Sequence, residues 1–312
     1  MSPFLSRLSL LIVLGLLTTS LSAQELNAFW QATRERLALE PMEAQVEAVA
    51  EALPYKKFKV TLRGLDGVRF RALLALPIKG EVAQATPWPV IVTVPGYGGL
   101  QQGIVLGECQ RGYAILQVFP RSQGESTELW KIDGPDKLTW RLDKPEGAYY
   151  QGAYADVIRA IDFVVTRADL DAQRIAIMGT SQGGGIALAV GALDSRIKAV
   201  VAHVPFLCDF RLAAKTPDSL VKKLLDAAGR NDEAALATLD YFDPARLAPR
   251  LRVPVLMSAG GQDKICPQAA IQSVYDRLPG NKGLMIYPDL PHTSCLDFYN
   301  LGWPWLDLHF RN

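Results

Sequence analysis

The sequence predicts an α/β fold: a doubly wound, mostly parallel eight-stranded sheet with helices on both faces. Three observations predict it. Six short runs rich in Val and Ile are nearly continuous in their apolar character, as strands buried on both faces must be. Helical patterns lie between several of them, and strands alternating with helices wind a parallel sheet. Two earlier runs meet at a tight glycine turn, which suits an antiparallel hairpin.

In chain order, residues 26–53 read as helical, with Trp30, Leu37 and Leu39 among Arg and Glu and a break at Pro41. The hairpin strands are 58–63 (F-K-V-T-L-R) and 68–76 (V-R-F-R-A-L-L-A-L), joined by the turn Leu65–Gly67. The buried strands are 90–94, 113–118, 174–178, 197–202, 254–258 and 283–287. Helices are predicted over 153–167, 182–193 and 267–278, with a last one near 296–310. Two long excursions, 119–152 and 203–250, read as insertions, which on such scaffolds gather near the functional site. With no repeat or low-complexity linker, one domain over 24–312 carrying both insertions is expected.

At 312 residues, 49% hydrophobic and 21% charged, the chain is an ordinary globular protein, long enough for a large core. Its 33 basic and 32 acidic residues form no long single-sign run, which argues against nucleic acid and for a neutral substrate. Arg7, the apolar stretch Leu8–Leu17 and a mainly polar region with small residues, Thr18–Ala23, read as a signal peptide over residues 1–23, cut after Ser22 or Ala23. A bilayer span needs about 20 apolar residues, more than this stretch supplies. The protein is therefore expected to be exported, periplasmic or secreted, and free of the membrane after cleavage. Four cysteines in such a chain make no disulfide framework.

The strongest local signal is Gly179-Thr180-Ser181-Gln182-Gly183, a G-x-S-x-G that follows strand 174–178 directly and opens helix 182–193. That context is a nucleophile elbow: a sharp strand-to-helix turn that exposes Ser181 Oγ, flanked by glycines because side chains would clash there. A serine hydroxyl needs a base. Of the three histidines, His203 ends a strand and His309 sits at the chain end, whereas His292 lies in a short loop after strand 283–287. An α/β-hydrolase core orders its triad Ser, acid, His. Asp263, just past strand 254–258, supplies the acid, while Asp289 lies too close to His292 in sequence to reach round and orient its ring. If Asp263 and His292 meet, a bridge between Cys266 and Cys295, each three residues further on, becomes geometrically conceivable, although a free buried Cys serves as a small apolar side chain. The oxyanion hole takes the N–H of the residue after the nucleophile, Gln182, and a second from the loop Pro95-Gly96-Tyr97-Gly98-Gly99, where Tyr97 is the candidate. No H-x-x-x-H or C-x-x-C pair marks a metal site and no G-x-G-x-x-G loop follows the first strand, so no metal or cofactor is expected.

At these residues the chain resembles the acetyl xylan esterase / cephalosporin C deacetylase family. The likeness runs from Phe29-Trp30 through V-P-G-Y-G-G at 94–99 and Y-Y-Q-G-A-Y-A-D-V-I-R-A at 149–160. Its most specific stretches are G-T-S-Q-G-G-G-I-A-L-A at 179–189, V-P-F-L-C-D-F-R at 204–211 and D-K-I-C-P at 263–267. The resemblance implies an α/β-hydrolase fold and deacetylation of acetylated xylo-oligosaccharides or related small acetyl esters. It assigns Ser181, Asp263 and His292 as triad and Tyr97 and Gln182 as oxyanion donors. It also implies a homo-oligomer, a ring-shaped hexamer with contacts from 119–152. Three departures stand out: Arg121-Ser122-Gln123 where the family has R-G-Q, His292-Thr293 where it has H-E, and Pro95 where it has His. The alternatives are another short-chain carboxylesterase or peptidase on this fold, or a catalytically silent sugar-binding relative.

Overall fold

The computed structural model describes residues 21–80, 86–99 and 106–310. Almost all of the expected leader lies outside them. The chain opens on α1 (Ala23–Leu39), where Ser22 and Glu25 form a reciprocal capping box. Its inward face is Leu26, Phe29, Trp30, Thr33 and Leu37, spaced at three and four residues as a half-buried helix requires.

The helix stops before Pro41, and residues 45–48 do not continue it as the sequence pattern suggests. They form a strand, β1 (Gln45–Ala48), so the sheet has nine strands and not eight. All of its side chains are exposed. It is held by backbone pairing to β2 (Lys56–Arg63), which leaves no alternating hydrophobic signal to read. β2 and β3 (Arg69–Leu76) make the expected hairpin, turning through Asp66 and Gly67, both at positive φ. The remaining strands are β4 (Trp88–Val94), β5 (Ala114–Phe119), β6 (Leu170–Thr180), β7 (Ile197–His203), β8 (Val255–Gly260) and β9 (Lys282–Tyr287). Their order is β1-β2-β3-β5-β4-β6-β7-β8-β9, antiparallel as far as the β3–β5 pair and parallel beyond it.

Alternate residues of the central strands feed two separate cores. Val90, Val92 and Val94 point to one face, where α1, α2 (Tyr149–Val165), α3 (Gln182–Leu193) and α8 (Gln268–Arg277) pack. Ile91, Ile115 and Ala176 point to the other, against the segment around Tyr113 and the C-terminal helix α9 (Leu296–Phe310). The four short helices α4 (Phe210–Ala213), α5 (Leu220–Ala227), α6 (Glu233–Leu239) and α7 (Pro244–Leu247) occupy the second excursion. The two-face division also explains why the expected approach of Cys266 and Cys295 yields no bridge. Cys266 belongs to the first core and Cys295 to the second, and all four cysteines are free and buried. Among the described residues no helix is long and apolar enough to cross a membrane.

Candidate active site

β6 ends at Thr180 and α3 begins at Gln182, leaving Ser181 alone in the turn at φ 55°, ψ −119°. For a non-glycine residue that backbone is strained, and strain of this kind persists only where the surroundings over-determine it. Here they do. The Ser181 N–H donates to His203 O (2.9 Å), and its carbonyl accepts from the N–H groups of Gly185 and Phe206. The turn is also too crowded for side chains. A Cβ on Gly183 would lie 1.9 Å from Val94 O, and one on Gly179 would lie 2.2 Å from the Gly183 carbonyl carbon. Gly183→Ala is therefore expected to abolish activity and prevent accumulation of folded protein. Gly98→Ala, where an added Cβ meets nothing within 4 Å, should leave the melting temperature unchanged; thermal melts of the two variants provide the check.

Ser181 Oγ lies 3.0 Å from His292 Nε2, and His292 Nδ1 lies 2.7 Å from Asp263 Oδ2. The other oxygen of Asp263 accepts the N–H groups of Ile265 and Cys266, both at 2.8 Å, so the buried carboxylate is aimed by its own loop. With Nδ1 donating to Asp263, Nε2 is free to accept the serine proton. Asp289 takes no part in this chain of contacts. His309 lies at the surface near Asn281, 3.3 Å away, and His203 is buried in β7.

The two expected donors belong to segments that lie next to Ser181. Gln182 N–H opens α3, where no intrahelical acceptor exists for it. The Pro95–Gly99 loop passes so close that a Cβ on Gly96 would sit 3.8 Å from Ser181 Cβ. Its backbone is held from behind: the buried Gln123 side chain donates to Gly96 O (2.7 Å) and meets Gln182 Oε1 at 3.3 Å. Tyr97 contributes its main chain to this loop, while its phenol donates to Asp136 (2.6 Å) and accepts from Leu138 N–H. The first excursion thus packs against the Pro95–Gly99 loop. In the Arg121-Ser122-Gln123 variant of the family motif, Ser122 takes the glycine's place at φ 57° and its Oγ accepts from Ile132 N–H.

Two further contributors carried no active-site role in the sequence reading. Val204 and Leu207, at φ 37° and 72°, bend the segment after β7 around the nucleophile turn, bringing Phe206 O to within 2.0 Å of where a Gly185 Cβ would lie. Positive φ at a β-branched residue leaves no mark in hydrophobic periodicity. The other is Cys266, whose thiol interacts with Ser181 and is pushed well above its ordinary pKa by burial and then by the Asp263 charge. Among the described residues, Asp263, Cys266 and His292 could hold a metal, with one donor atom each inside 4.8 Å of the others. Such an ion would compete with the hydrogen bonds that already join His292 to Asp263 and Ser181.

The acetyl xylan esterase (AXE1) family matches residues 16–306, nearly the whole chain. The chain belongs to this family. A solved acetyl xylan esterase from Paenibacillus sp. R4 is 30% identical and superposes with a TM-score of 0.83 over 93% of this chain and 96% of that one. Acetyl esterase Axe7A of Xylanibacter ruminicola is 28% identical over 90% of this chain and 66% of its own length. The human acylamino-acid-releasing enzyme is 27% identical over 77% of this chain, which spans 32% of that protein. This family member thus covers about two thirds or less of the curated relatives named here, and nearly all of the solved esterase.

Proposed function

We propose that the protein is a serine carboxylic-ester hydrolase that removes acetyl groups from acetylated xylo-oligosaccharides or related small acetyl esters. The observation that carries this is the unbroken series Ser181–His292–Asp263 on a strained strand-to-helix turn, in a chain of the acetyl xylan esterase family. Ser181 Oγ attacks the acetyl carbonyl while His292 Nε2 takes its proton. Asp263 holds the imidazole tautomer and stabilises the imidazolium. The N–H groups of Tyr97 and Gln182 stabilise the tetrahedral oxyanion, each donor of this kind being worth about 10²–10³ in rate. The sugar alcohol leaves with the proton from His292. Water then attacks the acetyl-enzyme by the same route, returning Ser181 and releasing acetate.

One domain over 24–312 carries this chemistry, with the excursions 119–152 and 203–250 bordering the site. The export reading of residues 1–23 and a homo-oligomer belong to the same proposal. Its test is the acyl series: kcat/KM for p-nitrophenyl acetate should exceed that for the octanoate by about tenfold or more, with the butyrate between. Acetate should also be released from acetylated xylo-oligosaccharides. Octanoate turnover equal to acetate would overturn the substrate assignment.

A further inference from the structure

We propose that His203, held as the neutral Nδ1–H tautomer, is the positioning residue that locks the loop carrying His292 to the nucleophile turn. The inference rests on the Ser181–His292 reading given above. His203 is the last residue of β7 and touches both halves of the site. Its main-chain carbonyl accepts the Ser181 N–H at 2.9 Å. Its ring Nε2 accepts the N–H of Cys295, three residues beyond His292, at 2.8 Å. One residue therefore ties the nucleophile and the base loop to the same strand.

The hydrogen bonds fix the ring's protonation. A backbone N–H can only donate, so Nε2 must carry a lone pair, and the single ring proton sits on Nδ1. Nδ1 in turn faces Ser258 Oγ at 2.5 Å, and that oxygen also accepts Val204 N–H at 3.0 Å. The ring cannot swing away, because it stacks on Phe298 (4.7 Å between centroids, 15° between planes) and meets Tyr299 edge-on. Burial, and secondarily the neighbouring His292, push its pKa down to about 4, so the accepting form holds across neutral pH.

The base loop needs such an anchor. From Pro288 to Cys295 it has no helix or strand. On its early side it is pinned to the turn after β8, through Gln262 N–H to Leu290 O. Beyond His292, the Cys295–His203 hydrogen bond fixes the backbone before α9 begins. Releasing it frees the segment on the C-terminal side of the imidazole, and a displacement of about 1 Å at a catalytic group costs about a hundredfold in rate.

Two amide replacements separate the roles. His203→Asn places its amide where Nδ1 was, beside Ser258, and leaves Cys295 N–H without an acceptor. His203→Gln reaches further and returns a carbonyl oxygen near the Nε2 position. With wild type assayed in parallel on p-nitrophenyl acetate, His203→Asn should lower kcat about ten- to a hundredfold with KM within about twofold. His203→Gln should recover most of that loss. The rate of Ser181 labelling by a fluorophosphonate should fall and recover in the same order. Equal kcat in wild type and a folded His203→Asn overturns the proposal, as does activity that tracks only the folded fraction in both variants. Should His203→Asn not fold, Ser258→Ala decides in its place: unchanged kcat overturns the assignment, and a drop in kcat at constant KM upholds it. A wild-type protein that neither turns over ester nor labels at Ser181 would instead condemn the esterase reading itself.

Discussion

Replacing Ser181 with alanine is expected to lower kcat for p-nitrophenyl acetate by about 10⁴- to 10⁶-fold, leaving the fold intact. The size follows from what is lost. Without Oγ no acyl-enzyme forms, and the remaining rate comes from ester held among the oxyanion donors and attacked by water. The fold survives because the serine side chain does no structural work. It does not cap α3, and its hydrogen bond to His292 joins two groups that both reach water. The positive φ at this position is enforced by Gly179, Gly183 and the contacts to His203 and Phe206, all of which the alanine variant keeps. Burst kinetics and a thermal melt on the same preparation provide the check. Wild-type turnover by Ser181→Ala would end the nucleophile assignment.

How far the site could be read from the amino-acid sequence depends on how each part is encoded. The nucleophile turn is local: strand, glycines and helix lie within a few neighbouring residues, and their clash distances explain the motif directly. The histidine that meets Ser181 could be singled out by elimination because only three histidines exist. The loop expected to supply an oxyanion donor was visible as a glycine cluster after a buried strand, but what steadies it was not. Gln123 reaches Gly96 across 27 positions, and the Cys295–His203 bond spans 92, so neither leaves a local pattern. In the fold, strands buried on both faces announced themselves, whereas β1 did not. Its side chains are all in solvent and its pairing to β2 uses only the backbone, which every sequence possesses. The conceivable cysteine bridge does not form, for a related reason. Equal sequence offsets from two residues that meet say nothing about which face of the sheet each cysteine enters.

Asp156→Ala is expected to cost about 3–5 kcal/mol of stability, the range for stripping one partner from a buried ion pair. Asp156 and Arg121 are almost wholly excluded from water. The guanidinium donates to both carboxylate oxygens, at 2.7 and 2.9 Å, and the Arg121 N–H adds a third bond at 2.8 Å. Packing leaves the arginine no escape: a Cβ on Gly152 would lie 2.5 Å from its Cζ. Removing the carboxylate strands a cation whose one other side-chain hydrogen bond among the described residues goes to Leu65 O, at 3.0 Å. The damage should reach the chemistry as well, since Gln123 lies two residues on and holds the loop proposed to supply an oxyanion donor through Gly96 O. Activity should therefore fall further than the loss of folded protein explains. Urea titration with parallel kcat measurement separates the two effects. Adding Arg121→Met to Asp156→Leu should restore much of the stability, because no charge is then left buried. It should restore little activity, because the main chain entering Gln123 has lost the Arg121 N–H bond to the carboxylate and the side-chain bonds that backed it. A loss below about 1 kcal/mol for Asp156→Ala, the range of an exposed pair, would mean that water reaches Arg121 and that the oxyanion loop is steadied from elsewhere.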